Sequence, residues 1–166
     1  MRNVIRNIRA LLKDTEDMNA RSELMWASAM GENGILKIGK VTDFQAHQIE
    51  HQLGAYTDCN HGQGLAVIHP VLYRHMYCDG VDQFARFAEN VWGISEEGKS
   101  MEELAEAGVQ ALADFVKEIG MPTSFREMGI TDKSVLRKVA DTCNLTAGCC
   151  RKLSREEVFQ ILEECW

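Results

Sequence analysis

The stretch TDFQAHQIEHQLGAYTDCNHGQGLA, Thr42–Ala66, decides how the chain is read. It holds His47, His51 and His61, three of the five histidines. His47 and His51 are four residues apart, which puts both imidazoles on one face of a helix. Asp43 is placed to cap that helix, and Leu53 with the residues after it predicts an end near Gly54. A second helix is expected to open at Gly62, with His61 at the corner between the two. The loop can fold His61 back towards the His47 face. Neutral imidazoles converging from a helix and a loop suit a transition metal. Spacing alone would make His47 and His51 the pair.

Outward from this stretch the apolar pattern is helical throughout. Val4, Ile5, Ile8, Leu11 and Leu12 mark one face of Arg2 to Lys13. Asn19 is expected to cap a helix that carries Leu24, Trp26, Ala27 and Met30 and runs towards Ile38. From Gly62 a helix extends to about Tyr77, where Pro70 should kink it or mark its first turns. Val81 to Trp92 carries a stripe through Phe84, Phe87, Ala88 and Val91. Ser100 and Glu103 form a capping box for a long helix stopped by Gly120 and Pro122. Ser124 and Glu127 look like a second box, opening a short helix ended by Gly129. Thr131 to Cys143 is helical by pattern, and Ser154 with Glu157 caps the last helix. No alternating strand, hairpin signal or repeat appears. The expectation is an all-α bundle of roughly eight helices, one helical domain over residues 1–166.

Composition narrows the function. At 166 residues the chain is long enough for a real core, and 45% hydrophobic content with two prolines argues against disorder. A net charge of −7 argues against nucleic-acid binding, which needs a basic face. No apolar run approaches a membrane span and no charged-then-apolar leader marks secretion, so a cytoplasmic protein is expected. The six cysteines show no paired framework and read as reduced thiols, with Cys149-Cys150 as packing residues rather than a redox pair.

Competing local readings stand beside the metal site. His61 at a corner can simply cap a helix. Asp58 and Cys59 share its loop and could ligate, though an Asp there more often makes a local turn bond. His69 and His75 read as ordinary helix residues. Gly62-Gln63-Gly64 lacks the preceding strand and third glycine of a dinucleotide fingerprint. His47-Gln48-Ile49-Glu50-His51 matches H-x-x-E-H, the inverted zinc-protease motif, in which Glu50 would activate water. Nothing strand-like is present to build a protease around it.

Taken together, several segments resemble the iron-containing alcohol dehydrogenases, most closely their butanol dehydrogenase branch. They are His47-x-x-x-His51 with Leu53, then Asn60-His61-Gly62-x-Gly64-Leu65-Ala66 with Pro70. Ala20-Arg21-Ser22-Glu23-Leu24-Met25-Trp26-Ala27, Asn33-Gly34, Met121-Pro122-Thr123-Ser124 and Met128-Gly129-Ile130 support them in the same order. The resemblance implies the helical C-terminal domain of an enzyme whose N-terminal α/β domain binds NAD(P). It implies a divalent metal, Fe²⁺ or Zn²⁺, in the cleft between the domains, acting as a Lewis acid on an alcohol or aldehyde. His47 and His61 are then the metal ligands. His51 becomes a catalytic residue near nicotinamide and substrate, in proton relay or positioning.

The same resemblance implies two further ligands from an upstream Asp-x-x-x-His. No such motif occurs in Met1 to Thr42, and no nucleotide domain or phosphate loop is found. The chain is therefore expected to be a C-terminal piece or split half, inactive alone, partnered by copies of itself or by a separate nucleotide-binding half. The alternative from another class is a non-catalytic helical binding or oligomerisation module that kept the fold.

Overall fold

The computed structural model describes all 166 residues, in eight α-helices and no strand. The chain divides into two compact units, Met1–Thr42 and Asp43–Trp166. No helix is long and apolar enough to cross a membrane, and all six cysteines are free thiols.

The first unit pairs α1 (Arg2–Lys13) with α2 (Met18–Glu32). The cap of α2 is Asp17, not Asn19. The Asp17 carboxylate accepts from the backbone N–H groups of Asn19 and Ala20, two of the donors a helix start leaves unpaired. Nor does α2 run on towards Ile38. It stops at Glu32, where the Asn33 side chain accepts from the Ile35 N–H and Gly34 takes φ +82°. That backbone region is costly for any residue with a Cβ, so Asn33-Gly34 ends the helix and leaves one 3₁₀ turn at Ile35–Lys37.

The second unit holds the main core, formed by α3 (Gln45–Thr57), α4 (His61–Met76), α7 (Val135–Thr142) and α8 (Arg155–Glu164). On α3 the buried face is Ala46, Ile49, Glu50 and Leu53; on α4 it includes Val67, Ile68, Val71, Leu72 and Met76. These recur at helical spacing, so one stripe of each helix meets the core and the opposite stripe stays outside. α3 packs against α4 and α7, and α4 also against α8. Pro70 lies well inside α4 and is buried, so it does not mark the first turns as the sequence allowed. The helix continues through it to Met76, held by apolar packing on both sides of the missing N–H.

Other boundaries shift for local reasons. Asp43 sits one residue before the α3 cap position, Phe44, and its carboxylate accepts from the Gln45 N–H at 2.9 Å. α3 does not end near Gly54 but continues to Thr57 and closes on Asp58, which takes φ +53°. α4 opens at His61 rather than Gly62, because Asn60 caps it by accepting from the Gln63 N–H. The Val81–Trp92 stripe divides into α5 (Val81–Phe87) and one π-helical turn, Ala88–Trp92. There Ala88 lies tight against Gly108 of α6 (Met101–Glu118): a Cβ at position 108 would stand 2.9 Å from the Ala88 Cβ.

Both capping boxes expected at Ser100/Glu103 and Ser154/Glu157 form fully. At Ser124 the bonds form without the helix. The Glu127 N–H donates to Ser124 Oγ, but Phe125 is fully buried and its N–H donates to the Cys165 carbonyl at 2.8 Å. That tie holds the segment against the end of α8 as a series of turns. α7 is shorter than the sequence pattern, because residues before Val135 make turns of their own.

Candidate metal centre

The outward face of α3 carries His47 and His51, and the short loop Asp58–Asn60 returns the chain so that α4 starts on His61. The three predicted histidines come together. Ring centroids are 6.1 Å apart for His47 and His51, 5.5 Å for His47 and His61, and 5.3 Å for His51 and His61. Phe44 stacks on the His47 ring at 4.3 Å, nearly parallel, which restricts that imidazole to one orientation. His51 and His61 are exposed and His47 half-buried. The base of α3 is anchored by Gln45, fully buried, whose amide donates to the Arg151 carbonyl and accepts from the Leu153 N–H, each at 2.8 Å.

One residue expected to be an ordinary helix residue lies beside these rings. His69, two turns into α4, places its ring 5.8 Å from that of His47. Its Nδ1 donates to the Leu65 carbonyl at 3.1 Å, so Nε2 carries the lone pair. Burial, followed by the nearby His47, pushes its pKa down to about 4, and His69 is neutral at ordinary pH. Beside it Tyr73 is pushed up to about 12, chiefly by burial. His75 does lie apart, with its Nε2 on Glu164 Oε1 at 2.8 Å.

Outside the H-x-x-E-H reading, which lacks a strand to support it, the sequence assigns no role to Glu50. Glu50 is 2% exposed, and its carboxylate lies against His61 Nδ1. Glu50 has room because α4 carries glycine opposite it: a Cβ at Gly64 would stand 2.7 Å from Glu50 Cγ. The H-x-x-E-H reading needs Glu50 facing water over the metal, whereas here it is sealed between two helices and turned to a histidine. The motif's spacing could not show this, since burial of position 50 follows from the packing of α3 on α4.

The donor set fits a divalent transition metal. Imidazole suits iron and zinc, and a ligating ring must be neutral. Ligand atoms of Glu50, His51 and His61 lie within 4.8 Å of one another. The His47 ring lies 5.5 Å, centre to centre, from that of His61, beside this group.

The chain as a whole is similar to known proteins. The family model described as Fe-containing alcohol dehydrogenase family, C-terminal, matches residues 1–166. The chain is 35% identical over 158 residues to NADH-dependent butanol dehydrogenase B of Clostridium acetobutylicum, covering 92% of this chain and 40% of that protein. A solved structure of NADH-dependent butanol dehydrogenase A from Thermotoga maritima superposes with a TM-score of 0.88 at 31% identity, covering 99% of this chain and 43% of that one. The aldehyde reductase YqhD of E. coli gives a TM-score of 0.86 at 26% identity, with the same coverage of both chains. The chain thus spans about two-fifths of the length of these relatives.

Proposed function

The chain belongs to the Fe-containing alcohol dehydrogenase family, as its helical C-terminal part, and on that premise we propose that it supplies the metal-bearing half of an NAD(P)-dependent alcohol or aldehyde oxidoreductase. The observation that carries this reading is the approach of the His47, His51 and His61 rings, with all three ring pairs between 5.3 and 6.1 Å. The names of the relatives, two butanol dehydrogenases and an aldehyde reductase, supply the substrate class. In this reading the 166 residues act as one helical half. NAD(P) and the remaining ligands come from an α/β part outside them, and copies of the chain associate.

His47 and His61 are the residues that would hold the ion, iron or zinc. When bound, the ion supplies Lewis-acid polarisation of the substrate oxygen. The chain's own residues do the rest. Phe44 holds the His47 ring in place through its stacked face. His51 is exposed on the same face, 5.3 Å ring to ring from His61, and its imidazole is suited to pass a proton between substrate oxygen and solvent.

Calorimetric titration of the chain with Zn²⁺ tests the ligand assignment. His47→Ala and His61→Ala should each weaken binding by at least the 10–100-fold typical of losing even an outer partner, and His51→Ala by less. Tight binding that survives both alanine substitutions would place the metal elsewhere.

A further inference from the structure

Glu50 is 2% exposed, the one buried acidic residue of the chain. No lysine or arginine meets it. Its side-chain contacts are His61 Nδ1 and, at 4.0 Å from Oε1, the Cys59 thiol. Burying a carboxylate without a strong hydrogen bond costs several kcal/mol, so the His61 contact is what makes this position tolerable. Two sequence features are arranged around it. Asn60 caps α4 and so fixes where the first residue of that helix points. Gly64, one turn on, leaves the space that the Glu50 stem fills.

We infer that Glu50 is a positioning residue for His61: its carboxylate accepts from Nδ1–H, locks the ring in that tautomer, and leaves the Nε2 lone pair facing the metal pocket. The inference rests on the proposed role of His61 as a ligand. Its physical basis is general. An imidazole offers a lone pair at only one nitrogen when neutral, and the hydrogen bond at the other nitrogen decides which. A carboxylate there also raises the basicity of the ligating nitrogen. Free in water, the ring would populate both tautomers and many orientations. Bonded to a carboxylate that the core cannot release, it keeps one of each.

Two measurements test it. The first needs no metal: long-range ¹H–¹⁵N spectra of the histidine rings of the 166-residue chain at about pH 8.5, well above the ordinary imidazole pKa. The expected result is His61 protonated at Nδ1 and bare at Nε2, with a shift towards the opposite tautomer in Glu50→Gln. A wild-type ring protonated at Nε2 overturns the inference outright, so the test stands even where Glu50→Gln fails to fold. The second is Zn²⁺ calorimetry on Glu50→Gln, His61→Ala and the double variant. Glu50→Gln should weaken binding 10–100-fold, and the double variant should bind no worse than His61→Ala alone, because Glu50 acts through that ring. A further loss in the double variant would make Glu50 a direct ligand and overturn the positioning role. Binding unchanged in His61→Ala would defeat the ligand reading instead, and the tautomer spectrum would still report on Glu50.

Discussion

A glycine and a glutamate decide the inner side of the candidate site. Gly64 stands where α4 crosses α3, and any Cβ there would overlap Glu50, so the pair must be read together. The neighbouring His69 carries a pH signature. Its folded pKa is near 4 against an ordinary 6.5, first because it is buried and then because His47 is close. Between those values the unfolded chain holds a proton at this position that the folded chain refuses. The metal-free chain should therefore lose stability as pH falls from about 6.5 to about 4, and show little change from this residue above that window. Urea denaturation at a series of pH values checks it: His69→Phe should flatten the acid limb, and an unaltered limb would show that His69 is not buried neutral. The histidine spacing around α3 was legible in the sequence because four residues make one helical turn. His69 was not, because its approach to His47 crosses between helices and leaves no trace in local spacing.

At the level of the element, the caps separate real helices from look-alikes. Ser154 and Ser124 are each followed three residues later by a glutamate, and each hydroxyl accepts from that glutamate's N–H. Only Ser154 opens a helix. Ser154→Ala should cost about 1 kcal/mol, the usual worth of a serine cap, with far-ultraviolet circular dichroism fraying first at α8. Ser124→Ala should cost clearly less, because Phe125 and the Cys165 carbonyl already hold those turns in place. Equal losses from both would mean that the Ser124 bond carries its segment. The contrast shows what the sequence could convey. Apolar stripes and capping boxes identified the helices, since both act within a few residues. Helix ends were missed at Gly54, which α3 passes, and at Ser124. There the outcome depended on Asp58 accepting a left-handed backbone and on the bond from Phe125 to Cys165, far along the chain.

For the whole molecule the decisive fact is what 166 residues contain and what hydride transfer requires. The fold is helical from end to end, with no strand and so no sheet edge or glycine-rich strand-to-helix turn on which a dinucleotide could lie. Residues Met1–Thr42 expose Met25 at 75%, Trp26 at 65%, Ile38 at 76% and Val41 at 77%. Hydride transfer needs the nicotinamide held about 3–3.5 Å from the substrate carbon. The chain by itself, loaded with Zn²⁺ or Fe²⁺, should therefore show no alcohol-dependent reduction of NAD⁺ or NADP⁺, followed by absorbance of the reduced nicotinamide. Adding a nucleotide-binding α/β part from a butanol dehydrogenase relative should be required for any turnover, and His51→Ala should lower that turnover more than it lowers metal binding. Turnover by the chain alone that disappears in His51→Ala would show that these helices hold the nucleotide after all, and would overturn the division of labour proposed here.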